Sequence, residues 1–185
     1  MDGDIFNERI AELLRVIQYA KVIKEDNVPC KIDEGLYLGS LGAANNRSAL
    51  KSLNVTHILT VANSLNPAHP NDFTYKRIQV FDREDVNISQ FFEECFAFID
   101  EARTTGGGVL VHCFAGKSRS VTIVVAYLMY KNGMSFSEAL EHVKTKRPVA
   151  FPNFGFISQL REYEKTLQDN GTGRAQEVGS SSSSL

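Results

Sequence analysis

A chain of 185 residues with 43% hydrophobic content is long enough to bury one domain of ordinary size. Its formal net charge is −2 at pH 7, and its lysines and arginines are scattered, which argues against a basic surface for nucleic acid or for a membrane. Three widely spaced cysteines without CxxC spacing, Cys30, Cys95 and Cys113, argue against a disulfide framework or a structural zinc site and favour the reducing cytoplasm or nucleus.

An amphipathic helix is the first predicted element, within residues 1–27, which we treat as a segment ahead of the domain. Four apolar side chains recur there at helical spacing with charges between them: Ile10, Leu13, Leu14 and Ile17. Early acids argue against a secretory signal, and no stretch of the sequence reaches the length of a membrane span. Three roles stay open for the apolar face: packing on the domain, self-association, or binding to a regulator such as calmodulin, the last weakened by an excess of acids.

Strands and helices alternate along the rest of the chain, which predicts a single α/β domain over residues 28–169. Apolar or β-branched runs between turn residues predict strands at residues 35–41, 56–62, 73–81 and 108–113. Helical spacing and capping residues predict helices at residues 45–55, 90–102, 119–132, 135–148 and 153–168. The basic run at 144–148 is interpreted as a solvated helix end or a contact patch. Residues 170–185 contain few apolar side chains and are predicted to be a disordered tail.

The segment VLVHCFAGKSRSVTIVVAYLM, residues 109–129, joins a buried strand to an apolar helix through a short polar loop. Ligands of a parallel α/β sheet bind outside the carboxyl ends of its strands, where a helix N-terminus offers unpaired N–H groups. Cys113 lies at that junction, and the small loop residues let successive N–H groups converge and stabilise a thiolate. Arg119 can donate two hydrogen bonds to a tetrahedral dianion. The loop is therefore predicted to be a phosphate cradle with Cys113 as its nucleophile.

The nine residues HCFAGKSRS resemble the His-Cys-x5-Arg-Ser/Thr signature of the cysteine-dependent protein phosphatases. Residues 30–168 are similar to the small atypical dual-specificity phosphatases, and the loop together with residues 61–82 is most similar to the small plant enzymes of that group. The resemblance implies a central, mostly parallel sheet flanked by helices, with no metal or cofactor. It implies a phosphorylated protein as substrate, with a mitogen-activated protein kinase as one candidate. The chain has no tryptophan, which indicates a shallow cleft and favours dual specificity.

The resemblance also assigns roles to individual residues. Cys113 attacks phosphorus and becomes a phosphocysteine, which water then hydrolyses. Asp82 acts first as general acid and then as general base, with Glu84 and Asp85 as nearby alternatives. The loop carries the other roles: Ser120 hydrogen-bonds to the leaving thiolate, His112 holds the cysteine loop, and the phosphate is bound by Phe114, Ala115, Gly116, Lys117, Ser118 and Arg119.

Two other functions stay open. A phosphate-binding module could use the same cradle without turnover, although inactive members of this family lose the cysteine, the arginine or the acid that this chain keeps. A phosphoinositide or another non-protein phosphate could be the substrate, because lipid phosphatases also carry a lysine at the position of Lys117. Those enzymes usually have a second lysine where this chain has Phe114. Cys30 or Cys95 could also trap oxidised Cys113 as a disulfide.

Overall fold

The computed structural model describes the backbone of residues 2–179 and the side chains of residues 7–169. A single-turn 3-10 helix, Ser89–Phe91, lies directly before the fourth α-helix. The elements follow in this order: α1 (Asp2–Glu25), β1 (Cys30–Asp33), β2 (Leu36–Gly39), α2 (Leu41–Asn45), α3 (Arg47–Ser52), β3 (Val55–Val61), β4 (Thr74–Ile78), α4 (Phe92–Thr104), β5 (Gly108–His112), α5 (Arg119–Asn132), α6 (Phe136–Lys146) and α7 (Phe154–Gly179).

The five strands form one sheet in the order β1-β2-β5-β3-β4. All neighbours pair in parallel except β1 and β2, which are antiparallel. β5 is therefore the central strand, and its Val111 lies opposite Leu38 of β2 and Leu59 of β3. The predicted mostly parallel α/β fold is confirmed. The segment that follows β5 emerges at the middle of the sheet edge, between two neighbouring strands.

The core lies on both faces of this sheet. Successive side chains of a strand point to opposite faces. Val109 and Val111 of β5 accordingly join a large cluster with helices α4 to α7, whereas Leu110 joins a smaller one with α2 and α3. Helix α5 is buried from Ser120 to Met129, as expected for a helix that is apolar almost all round. The element that starts at Arg119 is thus fixed in the centre of the molecule.

Two short helices stand where the sequence predicted one helix at residues 45–55. Asn46 separates α2 from α3 because its backbone N–H donates to the carbonyl of Ala43 while its side chain accepts from the N–H of Ala49. One residue thus ends the first helix and begins the second. Strand β1 was not predicted, since its four residues contain a single buried apolar side chain, Ile32.

Of the described part of helix α1, the C-terminal end approaches the domain most closely. A Cβ on Gly42 of α2 would lie 2.4 Å from the carbonyl oxygen of Asp26 and 2.5 Å from that of Val22, so the two backbones approach closely there. The apolar side chains nearer the N-terminus, which one interpretation placed against the domain, are 41–60% exposed: Ile10, Leu13, Leu14, Val16, Ile17 and Tyr19. Packing on the domain therefore does not account for this face.

Helix α7 continues to Gly179 and so includes the first part of the segment that was predicted to be a disordered tail. Extending an existing helix fixes one residue for each hydrogen bond gained, whereas a new helix must first form its costly initial turn. The backbone can therefore stay helical beyond the packed residues. The remainder of the predicted tail, residues 180–185, lies outside the described residues. Within the described part of the chain, no helix is long and apolar enough to cross a membrane.

Candidate active site

The loop between β5 and α5 holds Cys113 at its base, where the thiol is 1% exposed. The preceding strand ends at His112 and the following helix begins at Arg119. The loop thus lies outside the carboxyl end of the central strand and at the N-terminus of the buried helix. Both positions are where parallel α/β proteins bind anions.

Four consecutive carbonyl groups of this loop point away from its centre, because each accepts a hydrogen bond from outside the loop. The carbonyl of Phe114 accepts from the N–H of Leu41 (3.0 Å), and that of Lys117 accepts from the N–H of Phe151 (2.7 Å). The carbonyls of Ala115 and Gly116 accept from the guanidinium of Arg147 (3.0 and 2.6 Å). In a trans peptide the N–H points opposite to the carbonyl. The N–H groups of residues 115–118 therefore turn inward, as a phosphate cradle requires.

Position 116 requires glycine for two reasons. Its φ of +61° lies in the left-handed region, which residues with a Cβ rarely adopt. A Cβ at this position would also lie 2.5 Å from the carbonyl oxygen of Gly39 and 2.6 Å from Nη2 of Arg147. The turn of the loop and the approach of Arg147 both depend on the missing side chain.

The Cys113 thiol accepts a hydrogen bond from Oγ of Ser120, which lies 3.2 Å from Sγ. Ser120 is fully buried in the first turn of α5. A hydroxyl at this distance can stabilise negative charge on sulfur. The structure thus brings the predicted Ser120 to the position that its predicted role needs.

His112 is the last residue of β5, and both of its ring nitrogens lie within hydrogen-bond distance of a partner. Its Nδ1 is 3.1 Å from the carbonyl oxygen of Cys113, and its Nε2 is 2.8 Å from Oγ1 of Thr60 on β3. Burial lowers the pKa of His112 to about 4, so the ring is neutral at pH 7. A neutral, buried imidazole bonded to the backbone of Cys113 fits the predicted role of holding the loop.

Asp82 lies at the mouth of the loop. Its Oδ1 accepts hydrogen bonds from Oγ of Ser118 (2.7 Å) and Nδ2 of Asn153 (2.8 Å), and its Oδ2 is 3.8 Å from Nε of Arg119. The alternative acid Asp85 is exposed and forms an ion pair with Arg83 instead. Of these two candidate acids, the geometry thus brings Asp82 to the cradle.

Arg119 begins helix α5 directly after the loop, and part of its set of hydrogen-bond donors has no partner among the described residues. Its Nη1 donates to Oδ1 of Asn63 and to the carbonyl of Val80, both at 3.2 Å. Its Nε is buried, and among the described residues it is the only buried side-chain nitrogen or oxygen without a hydrogen-bond partner. A buried donor without a partner is unfavourable by about 1–3 kcal/mol, so an anion bound in the loop would relieve it. The unused donor at Nε is consistent with the predicted phosphate-binding role of Arg119.

Lys117 and Phe114 contribute to the cradle through their backbones and not through their side chains. The side chain of Lys117 is exposed, so its contribution to the cradle is its backbone. The ring of Phe114 faces Tyr19 of α1, with 6.1 Å between the ring centroids. Both residues therefore line the loop with peptide groups and present their side chains to its surroundings.

Two residues that position the site were missed by sequence reasoning. Arg147 was assigned to a solvated basic run, yet it is 4% exposed and bonded to the loop. Asn153 was read only as the start of the last helix; its Oδ1 does cap that helix by accepting from the N–H of Phe156 (2.9 Å), while its Nδ2 holds Asp82. Local patterns gave no sign of either long-range contact. In the described residues, no group of three metal-ligating side chains is assembled.

A cysteine at the base of a loop with inward N–H groups, with an arginine and an aspartate beside it, is the arrangement of the cysteine-dependent phosphatases. The family model "Dual specificity phosphatase, catalytic domain" matches residues 36–166. The chain belongs to the dual-specificity phosphatase family, and the predicted enzyme class, a dual-specificity protein phosphatase, is confirmed.

Individual relatives give the same result. Dual specificity protein phosphatase 1 of Arabidopsis thaliana is 60% identical over 88% of this chain and 84% of its own length, which confirms the predicted similarity to plant enzymes. MAP kinase phosphatase with leucine-rich repeats protein 2 of Dictyostelium discoideum is 45% identical over 84% of this chain, which spans 22% of that protein. The crystal structure of human DUSP28 is 35% identical and covers 76% of this chain and 95% of its own, with a TM-score of 0.73.

Proposed function

We propose that this enzyme hydrolyses phosphotyrosine, phosphothreonine and phosphoserine in a protein substrate through a phosphocysteine on Cys113. The observation that carries this proposal is the buried Nε of Arg119, which has no hydrogen-bond partner among the described residues and belongs to the first residue of the helix that follows the loop. A phosphoryl group in the cradle would have its oxygens bound and its phosphorus next to sulfur. Positioning and electrostatic stabilisation supply most of the catalysis in phosphoryl transfer.

The reaction proceeds in two displacements. In the first, the Cys113 thiolate attacks phosphorus; the S–P bond forms, the P–O bond to the substrate breaks, and the Asp82 carboxyl gives its proton to the leaving oxygen. In the second, water attacks phosphorus and gives a proton to the Asp82 carboxylate. The S–P bond then breaks, Cys113 leaves as a thiolate that accepts a hydrogen bond from Ser120, and inorganic phosphate is released.

Asn153 and Ser118 support the acid role of Asp82 by orienting it. Both donate to Oδ1, so Oδ2, which lies 3.8 Å from Nε of Arg119, is the oxygen that carries the transferable proton. Ser118 belongs to the cradle itself, so the acid is attached to the loop on which it acts. This attachment keeps the donor and the nucleophile in one rigid geometry.

A mitogen-activated protein kinase is the substrate that we propose. Support comes from the Dictyostelium relative, whose name describes a MAP kinase phosphatase and whose matching part is 45% identical to this chain. We also propose that the enzyme acts in the cytoplasm or nucleus, because a thiol nucleophile and two further free cysteines suit a reducing compartment.

Self-association through α1 is our proposal for the exposed apolar face. The two halves of the helix differ in charge: residues 2–13 carry Asp2, Asp4, Glu8 and Glu12 against Arg9, whereas residues 14–25 carry Arg15, Lys21 and Lys24 against Glu25. An antiparallel pair of α1 helices would bury the apolar faces and bring opposite charges together. The molar mass from light scattering of the wild-type protein beside Leu13→Glu tests this pairing. If the wild type is a monomer and binds calcium-loaded calmodulin, a regulator and not a second copy occupies this face.

Turnover of defined substrates in EDTA tests the proposed function. The wild-type protein should release phosphate from phosphotyrosine and phosphothreonine peptides, and from the doubly phosphorylated activation-loop peptide of a MAP kinase most rapidly. Vesicles carrying phosphoinositides should be poor substrates. Faster release from the vesicles would favour the lipid alternative, and stoichiometric phosphopeptide binding without release would favour the non-catalytic module.

A further inference from the structure

Arg147 joins the phosphate loop to the end of helix α1. It follows α6 directly and is 4% exposed. On one side, its Nε and Nη2 donate to the carbonyls of Gly116 and Ala115. On the other side, its Nη1 and Nη2 donate to the two carboxylate oxygens of Asp26, at 3.1 and 2.5 Å. One planar guanidinium thus contacts two separate parts of the chain.

The two loop peptides that Arg147 holds are the middle ones of the cradle. The carbonyls of Phe114 and Lys117, at its two ends, are held by backbone N–H groups. The middle carbonyls, of Ala115 and Gly116, accept from a side chain. Because each N–H points opposite to the carbonyl of its peptide, Arg147 sets the direction of the N–H groups of residues 116 and 117.

Asp26 completes this arrangement from the other side. A buried guanidinium without a counter-ion is strongly unfavourable, and the Asp26 carboxylate supplies the opposite charge in a bidentate geometry. The backbone of Asp26 is itself fixed, because its N–H donates to the carbonyl of Val22 (3.1 Å) and its carbonyl accepts from Oγ of Ser40 (2.7 Å). The end of α1 therefore fixes the position of Arg147.

We propose that Arg147 is a positioning residue that aims the middle N–H groups of the cradle at the phosphate, and that Asp26 holds Arg147 in place. This inference rests on the proposed function, since it concerns the same loop. The end of α1 then forms part of the catalytic apparatus although it touches no substrate. Lysine cannot replace Arg147, because one ammonium group cannot donate at once to two carbonyls and to both oxygens of a carboxylate.

Arg147→Lys and Asp26→Asn test the proposal, with Arg103→Lys as a matched control. Arg103 is half-buried and, like Arg147, is held by hydrogen bonds, to Asp33 and Tyr127, but it lies away from the loop. We expect Arg147→Lys to lower kcat/KM for an aryl phosphate by up to about 100-fold, because small errors in aim have effects of that size. It should raise the inhibition constant of inorganic phosphate in parallel. Asp26→Asn should act in the same direction but more weakly, and Arg103→Lys should leave both constants unchanged.

The double variant and the melting temperature separate positioning from general stabilisation. If Asp26 acts through Arg147, Asp26→Asn should have little further effect on phosphate inhibition in the Arg147→Lys background. Lower melting temperatures with wild-type kcat/KM and phosphate inhibition in both single variants would overturn the proposal and leave a structural ion pair. Should Arg147→Lys fail to fold, Asp26→Asn alone decides by the same criterion.

A readout without turnover keeps the two proposals distinguishable. Inorganic phosphate in the cradle should protect Cys113 from alkylation by iodoacetamide, followed by mass spectrometry of the Cys113 peptide. Arg147→Lys should need more phosphate for equal protection, and Arg103→Lys should not. A wild-type protein without turnover would refute the proposed function, yet this shift would still test the role of Arg147. Equal protection in all three proteins would contradict it.

Discussion

The phosphate loop and helix α1 differ in how completely their groups are bonded or packed. Each carbonyl of residues 114–117 accepts a hydrogen bond, whereas the apolar side chains of α1 from Ile10 to Tyr19 are largely exposed. The loop is thus preorganised for one ligand, and α1 is fixed mainly at its C-terminal end, where Asp26 accepts hydrogen bonds from Arg147 and Ser40. A rigid site can therefore depend on one end of a helix while the rest of that helix stays available for other contacts.

The comparison predicts that changes in the loop abolish activity and that matched changes elsewhere do not. Cys113→Ser should lower kcat for an aryl phosphate by at least about 10,000-fold, because the nucleophile and its partners act as a unit. The control is Cys95→Ala, a second buried cysteine that lies in the core and away from the loop. Burial raises the pKa of Cys95 to about 12, so its thiol stays neutral. Comparable loss in both variants of folded protein would contradict the assignment of the nucleophile.

Asp82→Asn should lower kcat by roughly 100- to 10,000-fold, the range that general acid–base catalysis supplies. The loss should be smallest for substrates with good leaving groups, because these need little protonation. Asp85→Asn is the matched control, since Asp85 is exposed and pairs with Arg83. Steady-state kinetics with a series of aryl phosphates measures both effects. An equal loss for every leaving group would show that Asp82 does not act as the acid.

Acid should weaken the fold through His112. Burial lowers the pKa of its ring from 6.5 to about 4, so the unfolded chain binds this proton more readily than the folded chain. The resulting stabilisation, about 3 kcal/mol by linkage, is fully present above pH 6.5 and is lost as the pH falls towards 4. Urea unfolding of the wild type between pH 7 and pH 4 should show this loss. In His112→Gln the decline should be less steep, and an unchanged slope would refute the assignment.

Gly116→Ala should lower kcat/KM by tens of times, up to about 100-fold, because the new Cβ displaces either the loop or Arg147. Gly133 offers a matched control. Its φ of +66° is close to the +61° of Gly116, but a Cβ there meets no atom within 4 Å. Gly133→Ala should therefore lower stability by about 1 kcal/mol through backbone strain alone and leave the kinetics intact. Equal kinetic losses in the two variants would show that the loop does not need this close approach.

The arrangement of the loop residues was predictable from the sequence because it is local. Cys113, Arg119 and Ser120 lie within one strand–loop–helix unit, so spacing alone brings them together. Asp82 required the resemblance to a known family, since its contacts with Ser118 and Asn153 join residues 36 and 71 positions apart. The burial of Arg147 was not predicted, for the same reason. A basic run at a helix end usually faces solvent, and only the folded chain shows that one of its members meets Asp26, 121 positions away.

The smallest effect is expected in the exposed part of α1. Ile17 is 54% exposed, so Ile17→Ala should change the free energy of unfolding by less than about 0.5 kcal/mol. Ile123 of α5 is fully buried, and the same truncation there should lower stability by about 2–5 kcal/mol. Denaturant unfolding of both variants at low protein concentration measures the difference. If Ile17→Ala is less stable than the wild type only at high protein concentration, a second copy covers this face. A large loss of stability at every concentration would show that α1 packs on its own domain.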